Sequence, residues 1–233
     1  SDEQPRRQRD ILLTNIDGGT SLLTTFTLAK SWENGVNMNF SYANQDIEDR
    51  FSASGTSTDT SYQFHATIDP QNPELGTSSY ETKHRLSLNL SYKTQFIDGF
   101  DTTFSAFWER KSARPYSWQL SQNRDRTGLS GALGLNAAYL PYIPTGADDP
   151  AVDFINGISY ADITEQLANA GISSEGGILA KNQFRGPWVS TLDLKVQQEI
   201  PGFWEGHKGI IYFDIKNALA IIDKDGAQVF NNP

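Results

Sequence analysis

Any chemistry in this chain of 233 residues would have to proceed without a thiol, because it has no cysteine. Without thiols there is no disulfide framework and no thiolate metal or redox site. His65, His84 and His207 are far apart, and none has the His-x-x-x-His or carboxylate spacing of a metalloenzyme. Asp148-Asp149 and Glu48-Asp49 are adjacent acids, but a chain with 28 acids places some side by side in loops by chance. Asp223-Lys224-Asp225-Gly226 opens like a calcium loop. A full loop of that kind also needs a glutamate about twelve residues in, so the segment reads as a turn. There is no Gly-x-Ser-x-Gly elbow and no phosphate-binding loop. These residues predict a protein that is not an enzyme and that needs no cofactor or metal.

Two polar constellations remain. Asp193, Lys195 and Gln197 alternate along one segment, and Tyr212, Asp214 and Lys216 along the next. If both are strands of one hairpin, these side chains share a wet face, where opposite charges pair across strands at about 0.2–1 kcal/mol each. The second constellation is aromatic. Tyr62, Phe64, Tyr80, Tyr116, Trp118, Tyr139, Tyr142 and Phe154 lie in long polar segments. Tyr62, Tyr80, Tyr116, Trp118 and Tyr142 are the residues expected to meet a ligand there. The competing expectation is that the rings pack the loops against one another.

The elements that must position these groups announce themselves by alternation. Val36, Met38, Phe40 and Tyr42 alternate with Asn37, Asn39, Ser41 and Ala43; Leu86, Leu88, Leu90 and Tyr92 alternate with Ser87, Asn89 and Ser91. Leu192, Leu194 and Val196 face away from Asp193, Lys195 and Gln197, as Ile211, Phe213 and Ile215 do from Tyr212, Asp214 and Lys216. Leu22 to Trp32 (Leu22, Phe26, Leu28) and Thr102 to Arg110 (Phe104, Ala106, Trp108) complete the set. Short turns join the strands in pairs: Glu33-Asn34-Gly35, Asp98-Gly99-Phe100-Asp101 and Pro201 to Gly206. Long segments, roughly 45–83 and 111–187, separate the pairs. Within the second, Tyr160 to Gly171 reads as a helix capped by Ser159 with Asp162 three residues on, ending at Gly171.

Composition sharpens the picture. A net charge of −9 and a pI near 4.8 argue against a nucleic-acid partner, which needs a basic face. No segment approaches the ~18 consecutive apolar residues of a transmembrane helix. A mean hydropathy of −0.49 looks soluble, yet strands that alternate lipid-facing and water-facing residues average to the same value. Trp32, Phe96, Phe100, Phe203 and Trp204 flank the short turns, and Tyr42, Trp108, Tyr116, Trp118 and Trp188 lie near the opposite strand ends, as two interfacial girdles would.

Particular runs resemble a known family. Asn182-Gln183-Phe184-Arg185-Gly186-Pro187-Trp188, Leu192-Asp193-Leu194 and Gln198-Glu199-Ile200-Pro201-Gly202-Phe203 resemble the late-barrel signature of TonB-dependent outer-membrane receptors, above all their Oar-like branch. Phe213 to Leu219 is similar to the "FDIEN-x-L" strand that follows there, with Lys216 where glutamate is commoner. Ile11 to Asn15, Trp32 to Gly35, Ser41-Tyr42, His84-Arg85, Arg114 to Ser117 and Tyr142 to Gly146 resemble earlier strands. The resemblance implies an all-β fold: an antiparallel transmembrane β-barrel segment, about six or seven strands of a barrel of about 22, with short periplasmic turns and long extracellular loops. Residues 1–233 would be the C-terminal portion of one barrel domain, without the plug and N-terminal domains, and both ends look cut. The helix would lie in an extracellular loop at about 111–187.

The implied function is that of a receptor that binds a bulky solute and translocates it across the bacterial outer membrane, with energy from the inner membrane. Its partners would be outer-membrane lipid, the rest of the same barrel and plug, TonB through the missing N-terminal region, and a surface lipoprotein or other outer-membrane protein on the loops. Asp193, Lys195, Asp214 and Lys216 would face the lumen. The alternative is a soluble secreted β-sandwich serving as a binding or adhesion module; a third reading is a structural scaffold for surface partners.

Overall fold

A computed structural model describes residues 14–52, 61, 65–69, 71–119, 139–172 and 175–222. Among them the chain runs β1 (Thr20–Ser31), β2 (Val36–Asp49), β3 (Gly76–Thr77), β4 (His84–Ile97), β5 (Phe100–Lys111), β6 (Pro115–Tyr116), β7 (Tyr142–Ile143), α1 (Tyr160–Asn169), β8 (Gly177–Ile178), β9 (Phe184–Arg185), β10 (Val189–Pro201), β11 (Lys208–Ile215) and α2 (Leu219–Ile222). The protein is mostly antiparallel β-sheet with little helix. The main sheet has the order β1-β2-β4-β5-β10-β11, with β3 beside β2; β6 pairs with β9 and β7 with β8. Among the described residues the path does not close, so β1 and β11 are its edges there.

The residues form two compact units. One comprises Ser21–Ile47, Tyr80–Pro115 and Arg185–Pro233 and holds nearly all of the main sheet; the other comprises Ser1–Thr20, Glu48–Ser79 and Tyr116–Phe184.

In the sheet unit, every strand expected from alternation is present; β2, β4, β5 and β10 run a few residues longer than their periodic stretches, while β1 stops at Ser31 and β11 at Ile215, one residue short of the expected ends. Register keeps the faces consistent across strands. Phe40 pairs with Leu88, Leu88 and Leu192 both pair with Trp108, and Val196 pairs with both Phe104 and Phe213. On the other face Ser41 pairs with Ser87, Asn89 with Phe107, and Lys195 with both Ser105 and Asp214. Because side chains alternate with a period of two, a one-residue slip in any pair would exchange these faces. The apolar face is nevertheless uncovered: Ile211 is 60% and Phe213 67% exposed, and Leu90, Tyr92, Phe104 and Val196 are exposed as well.

Glycine sets the short turns. Gly35 has φ +87° and Gly99 φ +77°, the left-handed region that costs little only without a Cβ. Gly35 carries a second constraint. Its carbonyl accepts from the Lys93 amide at 3.0 Å, and a Cβ there would collide with the Lys93 carbonyl. At the second turn a bulge between Thr94 and Ile97 shifts the register before Ile97 meets Phe100.

The late strand ends earlier than the family pattern predicts. β11 stops at Ile215, and Asn217 takes a left-handed conformation, φ 51°. The Asn217 amide donates to the Asp193 carboxylate (2.8 Å) and the Ala218 amide to the Leu192 carbonyl (2.6 Å), so the chain turns into α2 rather than extending to Leu219. Asparagine tolerates this conformation better than other residues carrying a Cβ, which is why the turn falls there.

The loop unit has a small core of Ile143, Ile172 and Leu179, with Leu167 and Phe184 packed on it. Helix α1 docks there, and it starts as its sequence predicts. Ser159 accepts from the Asp162 amide and Asp162 accepts from the Ser159 amide, a reciprocal capping box. The end is a Schellman arrangement, with Gly171 (φ 70°) donating to Ala168 (2.9 Å) and Ile172 to Leu167 (2.8 Å). Of the expected apolar face, Ile163 and Leu167 are half-buried and Ala170 is exposed.

Two glycine substitutions separate the turn constraints. Gly99→Ala should cost about 1–2 kcal/mol, the penalty of a left-handed non-glycine residue. Gly35→Ala should cost more, because the collision with the Lys93 backbone adds to it. Urea midpoints of the two variants of the intact protein check the order, and equal midpoints would refute the second constraint.

Candidate functional site

The polar face of the sheet carries the anticipated charges and pairs them. Asp193 accepts from Lys216 Nζ (3.1 Å) as well as from the Asn217 amide. Lys195 lies opposite Asp214, and its Nζ stands 4.7 Å from the centre of the Tyr212 ring. All four predicted lumen-facing residues therefore share one face, Asp193 and Lys195 on β10, Asp214 on β11 and Lys216 just beyond its end.

Alternation did not single out two further clusters on that face. Towards the short turns, Asp101 binds Lys93 and Gln95, its amide donates to Glu199 (3.1 Å), and Glu199 also takes Lys208 (2.7 Å). Near the opposite strand ends, buried Glu109 accepts from Arg85 Nε (2.7 Å) and Lys111 (2.9 Å). Each acid of these clusters has a cationic partner, so the face is charged yet locally compensated. The clue was present in sequence as acids and bases on the polar parity of β4, β5 and β10, but apolar periodicity does not weigh them.

The family-like run from Asn182 to Arg185, with Lys181 before it, works as a set of buried polar locks. In the loop unit, Lys181 is 2% exposed at its side chain and donates to Asp49 Oδ1 (2.7 Å) and to the Asp49 carbonyl (2.9 Å). Asn182, in a left-handed conformation (φ 54°), donates its side-chain amide to the Thr77 carbonyl (2.7 Å) and its backbone amide to Ser117 Oγ (2.7 Å). Ser52 hydroxyl closes the set on Asp49 Oδ2 (2.7 Å). In the sheet unit, Arg185 pairs with Glu81, whose side chain is 1% exposed and also accepts from the Ile47 amide (2.7 Å). Asp49 is thus a structural ion-pair partner, and Asp149 has a structural role too.

Asp149 accepts from the Thr145 amide (2.7 Å), the Thr145 hydroxyl (2.8 Å), the Ala151 amide (2.9 Å) and the Tyr142 hydroxyl (2.8 Å). Backbone donation from Thr145, then Ala151, holds its carboxyl far below the usual range, and the bond to Asp149 pushes the Tyr142 hydroxyl up. His65 is buried beside Phe51 (4.7 Å between ring centres), and burial, with Lys181 nearby, holds its pKa below the usual histidine value.

The predicted ligand-contacting aromatics have mixed placements. Tyr116 packs on Phe184 (5.9 Å), Tyr142 is occupied by Asp149, and Trp118 and Tyr80 are exposed. Tyr116 and Tyr142 thus each have a partner within the loop unit. Tyr62 and Phe64, like Asp223 to Gly226 and Ile11 to Leu13, lie outside the described residues. Among the described residues, no group of three or more His, Asp or Glu side chains could hold a metal ion. In these arrangements the acids pair with cations or accept from amides and hydroxyls. No protein-family model, no curated protein and no solved structure matches the chain.

Two variants test the locks. Lys181→Met leaves Asp49 without its cation and should destabilise the protein by about 3 kcal/mol, read from urea unfolding. Asp149→Asn should speed hydrogen exchange of the Thr145 and Ala151 amides by about tenfold. The sign of its pH dependence follows from the lowered pKa: protection from Asp149 is complete above the ordinary value of 3.8 and is lost only as pH falls through the lower folded-state value.

Proposed function

We propose that the chain is part of a transmembrane β-barrel of the bacterial outer membrane, a TonB-dependent receptor that binds a bulky solute at its loops and passes it inward without covalent chemistry. The observation that carries the membrane part is the uncovered apolar face of the main sheet. Five strands pair in a register that gathers Leu, Ile, Val, Phe, Tyr and Trp on one side; Leu90, Tyr92, Phe104, Val196, Ile211 and Phe213 remain exposed there, and Phe40, Leu88, Trp108 and Leu192 only half-buried. In water such a continuous face is unfavourable, since each square ångström left uncovered forgoes about 25 cal/mol. In hydrocarbon it is the required surface, while the compensated polar face suits a wet interior.

Aromatic placement supports the same reading. Trp32, Phe96, Phe203 and Trp204 are exposed at the short-turn end, Phe203 to 98%, where an interfacial girdle would anchor them. The open edges at β1 and β11 fit a segment whose neighbouring strands belong to the remainder of the barrel, because unpaired edge groups cannot remain in lipid. The receptor class rests on the resemblance of the Asn182 to Phe203 run and the strand after it.

Fractionation and one substitution test the proposal. The intact protein should stay with the outer membrane through alkaline carbonate washing and come off only with detergent. Leu88→Arg, on the apolar face, should cost about 2–4 kcal/mol if that position lies near the bilayer midplane, whereas Ser87→Arg, one residue along on the polar face, should cost far less. Release by carbonate, or equal sensitivity at the two sites, would exclude the membrane assignment.

A further inference from the structure

At the strand ends away from the short turns, the apolar face finishes in a cluster of a different kind. Arg110 belongs to that face, since it pairs with Leu86 on one side and Ser190 on the other, one step beyond the Leu88–Trp108–Leu192 row. Its guanidinium stands 5.4 Å from the centre of the Trp188 ring, and Trp188 lies nearly parallel to His84, 5.7 Å away with planes 7° apart. Tyr42 is also nearly parallel to His84, 6.1 Å away with planes 15° apart.

Hydrogen bonds fix the state of that histidine. The Tyr42 hydroxyl and the Asn44 amide nitrogen approach His84 Nδ1 at 2.9 and 3.1 Å. The Asn44 nitrogen also donates to the Lys83 carbonyl (3.0 Å), which identifies it as the NH2 end. Nδ1 therefore accepts, and Nε2 carries the hydrogen as a donor. Arg110 is exposed, and among the described residues no carboxylate lies within ion-pair distance of it. Arg85, on the polar face, has Glu109, and Arg185 has Glu81. Asp46, an acid on the same side of β2, is held by Lys83 (2.9 Å).

We infer that Arg110 and His84, framed by Trp188 and Tyr42, bind the phosphate of an anionic lipid whose acyl chains lie along the apolar face below. The inference rests on the membrane reading proposed above. An uncompensated guanidinium at the edge of an apolar surface calls for an anion, and the row of Leu86, Leu88, Leu90 and Leu192 beside it calls for hydrocarbon. A phosphorylated amphiphile supplies both in one molecule, with aromatic rings at headgroup level. Arginine suits the task because its planar fork meets phosphate with two parallel hydrogen bonds.

The test uses the intact protein in dodecyl maltoside micelles, titrated with phosphatidic acid or phosphatidylcholine carrying brominated acyl chains, which quench tryptophan on contact. Half-quenching should need about tenfold less phosphatidic acid than phosphatidylcholine. Arg110→Gln should bring the phosphatidic acid curve onto the phosphatidylcholine curve and leave the latter unchanged, a control that the variant is folded. Arg85→Gln should keep the preference. Coincident curves in the unaltered protein, or a preference that survives Arg110→Gln, would overturn the site. Loss of the preference on adding millimolar inorganic phosphate would show a site for free phosphate and overturn the lipid assignment. Absence of quenching by either lipid would instead refute the membrane reading on which the site depends.

Discussion

The structure depends on register. Backbone pairing alone would tolerate β2, β4, β5, β10 and β11 sliding past one another. Only one set of offsets brings Phe40, Leu88, Trp108 and Leu192 into one row and Ser41, Ser87, Glu109 and Thr191 into the next. That sorting creates two surfaces with opposite demands on their surroundings. A soluble sheet would meet the apolar demand with a second layer, yet the Phe40 row is only half-buried and Leu90, Tyr92, Phe104, Val196, Ile211 and Phe213 on the same face are exposed, so the demand passes to the environment. The polar surface meets its own demand internally, by ion pairs that cross from strand to strand at both ends of the sheet.

The loop unit follows another logic. With a core of few apolar side chains, it relies on polar groups withdrawn from water and fully engaged, such as Lys181 on Asp49 and Asn182 on Thr77 and Ser117. Such locks define one arrangement of irregular chain more sharply than apolar contacts would, because a displaced buried amine or amide loses its partner outright. Asp149 does the same for the turn after β7 by gathering two amides and two hydroxyls. Asp49 and Asp149, each beside another acid in sequence as chance would place them, act as braces in the fold.

The legible parts are those encoded locally. Six long strands appear where alternation puts them, the turns fall at Gly35 and Gly99, and α1 begins at its Ser159 capping box. The charge neighbourhood of Asp193, Lys195, Asp214 and Lys216 was also readable, since hairpin register follows from the short turn between β10 and β11. What could not be read is paired at a distance: Lys181 with Asp49 across 132 positions, and Arg185 with Glu81 across 104. Nothing in the local pattern links such residues. The end of β11 was misjudged for a related reason, because the Asp193 carboxylate that draws the Asn217 amide into a turn sits on a different strand.

The central claim, that one face of the sheet meets lipid and the other water, can be measured on a single strand. The chain has no native cysteine, so single cysteines at consecutive positions 192–197 of β10 can each carry a nitroxide label in the intact protein reconstituted into vesicles. Collision rates with oxygen, which concentrates in hydrocarbon, and with a water-soluble nickel chelate should alternate out of phase. Labels at Leu192, Leu194 and Val196 should favour oxygen, and labels at Asp193, Lys195 and Gln197 should favour nickel. If labels at Leu192, Leu194 and Val196 are instead immobile and shielded from both reagents, that face is a packed protein core and the account is wrong.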